Sequence, residues 1–190
     1  MTVLAAAPGS LFDLGAGLDV LRLAGSGSLS VRAAGVETVL GGAANESVTL
    51  LTAVTDGLVS LGAGSDTLQL GNFANKALVE GVETVLGGTG ADWVILQSAA
   101  LPGTLVDLGA GNATLRLGVF NNTVTVRNVE TIIGSGLADV VTLGTAADGT
   151  VVSLGVGQDR LTLANGANRV TASLVETVIG GTGADDVTFG

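Results

Sequence analysis

The sequence predicts an all-β fold: a right-handed parallel β-solenoid (β-roll or β-helix) of about eight coils, two coils per repeat. Three observations carry this. A Leu-Gly-x-Gly turn begins at Leu14, Leu61, Leu108 and Leu154, at spacings of 47, 47 and 46 residues. A Val-Glu-Thr marker places Glu37, Glu83, Glu130 and Glu176 at spacings of 46, 47 and 46. Between turns, apolar and polar residues alternate with the period of a strand. Two independent markers with one period make the 190 residues a single array rather than one or two ordinary domains. The domain 1–190 divides into four repeats, approximately 1–49, 50–95, 96–142 and 143–190.

The strands come first. Leu68-Gln69-Leu70, Leu115-Arg116-Leu117, Val124-Thr125-Val126 and Leu105-Val106-Asp107-Leu108 alternate, and Val, Thr, Leu and Ile dominate them. No helical periodicity is sustained. Arg22, Gln69, Arg116 and Thr162 hold equivalent outward places, which suits a solvated face. Gly, Asn and Asp clusters such as 71–75 and 165–168 read as plain loops.

Each repeat also carries two glycine turns, one of Leu-Gly-Ala-Gly type and one of Gly-Gly-Thr-Gly type. Asp66 to Asp92 spans 26 residues and Asp92 to Asn112 spans 20. Each interval holds two strands, with room for a third in the longer one, and is read as one coil rising about 4.8 Å. On that reading successive glycine turns stack on a single edge. Inward Leu and Val side chains form a continuous apolar column that no coil could bury alone.

A second level is visible. Repeats one and three share Pro8-Gly9 with Pro102-Gly103, and Asp13 with Asp107. Repeats two and four share Asp56-Gly57 with Asp148-Gly149, and Ser60 with Ser153. This is the signature of an already doubled unit duplicated again. The chain starts and stops at nearly the same point of the unit, with no capping segment visible in the sequence.

Composition narrows the function. Net charge is −10, from 17 acidic and 7 basic residues. That disfavours nucleic acid and anionic membranes and suits a metal cation. With no Cys and no His, disulfides, thiol chemistry, zinc sites and histidine bases are excluded. Aromatic residues are 3% of the chain, too few for a stacking platform. No apolar run approaches a membrane helix, so no membrane insertion is expected. Residues 1–7 lack the positive region of a cleaved signal peptide. Export would then use another route, or the chain is an internal fragment.

The chemistry lies in the glycine turns. The nonapeptide G-G-x-G-x-D-x-U-x, with U a large apolar residue, is a calcium-binding signature. Its glycines expose carbonyl oxygens at a tight turn, and its Asp adds a carboxylate. A hard cation takes roughly 6–8 oxygens, so one turn supplies about half a site and two stacked turns the whole. The candidate ligands are Asp19, Asp66, Asp92, Asp139, Asp159 and Asp185. With them come the carbonyls of Gly15, Gly17, Gly62, Gly64, Gly88, Gly90, Gly109, Gly111, Gly134, Gly136, Gly155, Gly157, Gly181 and Gly183. Two turns are eroded: Asn112-Ala113 replaces x-Asp, and Asn45-Glu46 replaces Ala-Asp. Glu46 and Asn112 are second-rank candidates, and sites beside those turns are expected to be weak. The competing reading is a plain turn whose Asp bonds its own backbone. Against it, carboxylates stacked about 5 Å apart repel unless a cation lies between them.

The match is full at 87–94 and 180–187, and partial at 134–139 and at the turns ending in Asp19, Asp66 and Asp159. On these residues the chain resembles the RTX (haemolysin-type) calcium-binding repeat proteins, with long repeats in place of tandem nonapeptides. The Val-Glu-Thr-Val lead-ins are similar to the Ile-Glu-Asn lead-ins of long members. The resemblance implies Ca2+ as the bound ion, type I secretion and an extracellular or cell-surface location in a bacterium. Glu37, Glu83, Glu130 and Glu176 have three readings: extra ligands, outward strand residues, or acceptors for a neighbouring coil's amides.

The expected function is a non-catalytic, calcium-stabilised structural solenoid, in a surface layer, filament or adhesin stalk, with possible head-to-tail self-association. The alternatives are an export and folding module of a larger secreted enzyme, or a carbohydrate-binding β-helix. Catalysis is disfavoured because the seven basic residues are scattered. Ice binding is disfavoured because the threonines recur, in this reading, only every second coil.

Overall fold

In the computed structural model, which describes residues 2–3, 9–25 and 27–190, the chain is a parallel β-solenoid. Pro8, one marker of the doubled unit, lies outside the described residues. Strands are numbered in chain order from β1 (Thr2–Val3) to β21 (Asp185–Phe189). Every odd-numbered strand joins one sheet of 11, and every even-numbered strand joins a second sheet of 10. All pairings are parallel, as between Lys76 and Trp93 or between Trp93 and Thr114. Two strands therefore make one coil. The chain crosses from the odd to the even sheet along edge one and returns along edge two.

The solenoid winds right-handed, and its 21 strands at two per coil make about ten coils, two more than the expected eight. The extra winding lies in the longer glycine-turn interval. Between Asp66 and Asp92 run three strands, β8 (Thr67–Gln69), β9 (Lys76–Glu80) and β10 (Thr84–Gly88). The second repeat thus carries five strands, from β7 (Thr55–Gly62) to β11 (Trp93–Leu96).

An odd number of strands per repeat corrects one expectation. The glycine turns do not stack on a single edge. Turns 41–46, 61–66, 134–139 and 154–159 lie on edge one, and turns 14–19, 87–92, 108–113 and 180–185 lie on edge two. Each repeat advances two and a half coils, so equivalent turns alternate between edges. Two repeats restore the phase, which gives the doubled unit a structural meaning. The plain loops had concealed this, because the corner 81–83 and the loop 70–75 each turn the chain as fully as a glycine turn does.

The interior follows the strand period. Leu68, Val85, Leu108, Leu115, Ile132, Leu154 and Leu161 are fully buried between the sheets, while their sequence neighbours face outward. The Val-Glu-Thr corner has its own logic. Gly35, Gly81, Asn128 and Leu174 adopt φ of 58°, 57°, 51° and 53°. That left-handed residue turns the chain, the following Val packs inward, and the Glu enters the edge.

The markers of the doubled unit are also explained. Asp56-Gly57 and Asp148-Gly149 form irregularities at the start of two odd strands. There Asp56 meets Lys76 at 2.5 Å and Asp148 meets Arg169 at 2.6 Å. Asp13 and Asp107 accept the N–H of Gly15 and Gly109, which opens the next glycine turn. The threonine reading needs correction as well. Thr67 pairs with Thr84, and Thr125, Thr142 and Thr162 follow one another on successive coils. The spacing argument against an ice-binding face therefore fails. Leu105 still interrupts that row, and Gln69, Asp107 and Arg127 occupy the next one.

Candidate cation-binding columns

Where a turn delivers the chain into a strand, the first backbone N–H needs an acceptor. In this protein a side chain of the next coil supplies it. The N–H of Asp19 donates to Glu37 Oε2 at 2.8 Å, and that of Ala113 to Glu130 Oε2 at 2.7 Å. Glu46 N–H donates to Asp66 Oδ1 at 2.6 Å, and Asp66 N–H to Glu83 Oε2 at 2.7 Å. Ala100, Asn122, Asp139 and Asp159 donate in turn to Asn122, Asp139, Asp159 and Glu176, at 3.1, 3.3, 2.7 and 2.7 Å. The result is a column of stacked polar side chains along each edge. Of the three readings of the glutamates, the structure gives the last: all four accept a neighbouring coil's amide.

Sequence reasoning missed the residue that begins these columns. Asn75, Asn122 and Asn168 are buried. Each side-chain amide donates to two carbonyls of its own loop and to the next coil's aspartate. For Asn75 these are Gly71 O and Phe73 O at 2.9 Å and Asp92 Oδ1 at 2.8 Å. Asn122 reaches Asp139 at 2.7 Å and Asn168 reaches Asp185 at 2.6 Å. Their spacing, 47 and 46 residues, is the repeat period and could have flagged them.

The aspartates consequently fall into two groups. In the Gly-Gly-x-Gly-x-Asp type turns, the second carboxylate oxygen of Asp92, Asp139 and Asp185 accepts an N–H four residues back, from Gly88, Ser135 and Gly181. Both oxygens of these residues have protein donors. In the Leu-Gly-x-Gly turns, Oδ2 of Asp19, Asp66 and Asp159 is enclosed and has no partner; in the eroded turn 41–46 neither oxygen of Glu46 has a well-aligned donor, although the Gly42 N–H and the Asp66 carboxylate lie beside it. The turns matching the signature best are therefore the best satisfied by the protein itself. The enclosed carboxylate oxygens without a donor are concentrated in the looser ones. Ala113 leaves its column without a carboxylate at that level.

Repeat one shows why Glu46 is exposed to this problem. Leu29 stands opposite it, where the other repeats place an asparagine opposite an aspartate. Burial, and then the Asp66 carboxylate, raise the Glu46 pKa from 4.5 to about 7. Burial also raises Asp66 and Asp159. The Asn168 amide instead lowers Asp185.

The charge distribution sharpens the point. Eleven of the 17 acidic residues stand in the edge columns: Asp19, Glu37, Glu46, Asp66, Glu83, Asp92, Glu130, Asp139, Asp159, Glu176 and Asp185. The other six, with 7 basic residues, decorate the outside and nearly cancel. The net charge of −10 is therefore a property of the columns.

Glycine lets neighbouring coils approach closely beside these carboxylates. A Cβ on Gly87 would strike Leu108 O and Asp92 Oδ2, and one on Gly134 would strike Leu154 O and Asp139 Oδ2. At Gly41 the same volume is bordered by Leu61 O and Glu46 Oε2. A carbonyl of one coil and a carboxylate of another thus face a common volume. Among the described residues no three Asp or Glu side chains gather closely enough to hold a metal alone. The remaining glycines proposed as ligands, including Gly15, Gly64, Gly111 and Gly183, lie in the turns on their respective edges.

No protein family, curated protein or solved structure matches this chain. The likeness to RTX repeats rests on the turn sequences alone.

Proposed function

We propose that the protein is a non-catalytic structural β-solenoid whose edge columns bind calcium, and that the ion rigidifies it. The observation that carries this is the set of enclosed, unpartnered carboxylate oxygens on Asp19, Asp66, Asp159 and Glu46. A buried anion without a donor is costly, and either a proton or a cation removes the cost. The donor set is all oxygen, which selects a hard cation. These carboxylates, with carbonyls of the paired turns 41–46 with 61–66 and 134–139 with 154–159, are the residues to hold it. Asp92, Asp139 and Asp185 then act mainly as internal braces.

The bound ion supplies positive charge between stacked carboxylates. Each site held at 100 times its dissociation constant adds about 2.7 kcal/mol to stability. A fold that is loose in a low-calcium cytoplasm and firm outside suits a secreted or cell-surface protein. End-to-end assembly belongs to the same proposal. Strand β21 has a single neighbour, β19, in its sheet, and open β-edges recruit further strands.

Equilibrium dialysis with calcium, paired with thermal melts in calcium and in chelator, tests the reading. Several bound ions per chain and a melting temperature raised by calcium are expected. Zero bound calcium, with identical melts, would leave a plain solenoid. Light scattering against protein concentration tests the assembly: open-ended growth is expected, and a constant mass at every concentration rejects it.

A further inference from the structure

Edge one carries a feature that the cation columns do not explain. Five successive corners on it present an exposed aliphatic side chain: Leu101, Val119, Leu137, Val156 and Leu174. Their exposures run from 46% to 76%. Coils rise about 4.8 Å each, so the five form a ridge about 19 Å long. The same coils on edge two expose Asn112, Asn128, Asn165 and Thr182 instead. Earlier corners of edge one carry Ala43, Ala63 and Gly81. Among the described residues the ridge is therefore confined to one edge of one half of the molecule.

Leu174 adds an independent sign. It sits in the left-handed conformation at φ 53°, where the equivalent corners carry Gly35, Gly81 and Asn128. A bulky residue is strained there, and strain of this kind points to a use for the side chain.

We propose that this ridge is the interface of a lateral homodimer, in which two copies pack edge one against edge one about a two-fold axis. Two physical arguments select a second copy. The first is period. An identical ridge has the same 4.8 Å spacing, so its rungs stay in register with those of the first along the whole length. A helix, with a pitch of about 5.4 Å, loses step by a few ångströms over five rungs. The second is area. Five aliphatic side chains at these exposures offer on the order of 500 Å² of apolar surface, in the upper part of the range of the largest patch on a monomer, which is often functional. The pair buries about 1,000 Å², the lower limit for a specific dimer. Edge one also carries the column carboxylates Asp139, Asp159 and Glu176, so the copies repel less where a cation neutralises these groups. A two-fold axis places Leu137, the middle rung, opposite its own copy.

Sedimentation velocity on the full chain, in calcium and separately in chelator, tests this. The expected result is a concentration-dependent dimer of the native chain. The triple variant V119S/L137S/V156S, checked for an unchanged circular dichroism spectrum, should weaken the dimer at least tenfold. A native chain that is monomeric at every concentration overturns the proposal. So does a triple variant that dimerises as before. The chain has no cysteine, so single-cysteine crosslinking gives a second readout that does not depend on the triple variant folding. Under mild oxidant L137C should form a disulfide dimer and L18C, on edge two, should not. Equal crosslinking of both would also overturn the assignment. Open-ended growth that the triple variant leaves unchanged belongs to end-to-end stacking, so the two assemblies are distinguishable.

Discussion

Asn75 Nδ2 lies 2.8 Å from Asp92 Oδ1, and the two residues belong to neighbouring coils, 17 positions apart in sequence. The asparagine also fastens its own loop and accepts the Val54 N–H at 3.0 Å. One side chain thereby ties three coils together. Truncating it takes one donor from the buried Asp92 carboxylate, which keeps the Asn75 and Gly88 N–H groups, and leaves the Val54 N–H and the Gly71 and Phe73 carbonyls without this partner. Asn75→Ala and Asn122→Ala are each expected to cost about 2–4 kcal/mol, since both the lost charge-assisted bond and the stranded groups contribute. Urea unfolding in saturating calcium measures this. A loss below about 1 kcal/mol would mean that water replaces the amide.

The acid column makes stability depend on pH with a definite sign. The Glu46 pKa rises on folding from 4.5 to about 7. A raised folded value means that folding favours the protonated form. Its stabilisation is full below about pH 4.5 and is lost as pH rises through about 7. The loss is at most about 3 kcal/mol. Asp66 and Asp159 shift in the same direction. In chelator the melting temperature should therefore fall between pH 4.5 and 7.5. Glu46→Gln should flatten that fall and stabilise the calcium-free protein at pH 8. Melts of both proteins across this range decide the matter.

Calcium should take over the role of the proton. In excess calcium the fall between pH 4.5 and 7.5 should shrink or vanish, because the ion neutralises the carboxylates at the higher pH. An unchanged slope with calcium present would separate the titration from any cation site.

Ala113 is the place to add a site. It occupies the level at which Asp66 and Asp159 stand in other repeats, and its N–H already donates to Glu130. Ala113→Asp should lower stability in chelator and raise it in calcium. The bound stoichiometry should increase by about one if paired turns form a site.

Two backbone predictions complete the set. Gly134→Ala should be strongly destabilising, by about 2 kcal/mol or more, because its Cβ meets the Leu154 backbone and the Asp139 carboxylate. Leu174→Asn should act in the other direction. It relieves a left-handed leucine and should gain about 1 kcal/mol in the monomer while weakening the lateral dimer.

The sequence by itself determined a great deal. The 46–47 residue period and the two-residue alternation of Leu and Val determined strands, coils and a parallel stack, because both are local regularities that stacking must respect. The glycine turns and their aspartates were equally legible as an oxygen-rich edge. Three things were decided only in the tertiary structure. Five strands per repeat sent equivalent turns to alternate edges, and whether a loop such as 70–75 makes a full corner depends on the coil beneath it. Asn75, Asn122 and Asn168 looked like ordinary loop residues, because their partner aspartates lie 17 residues away in sequence and one coil away in space. The alignment of Leu101 with Val119, Leu137, Val156 and Leu174 was hidden for the same reason. Their separations are nearly even, at 18, 18, 19 and 18 residues, but no sequence marker makes that interval one coil, and only stacking brings them into one row.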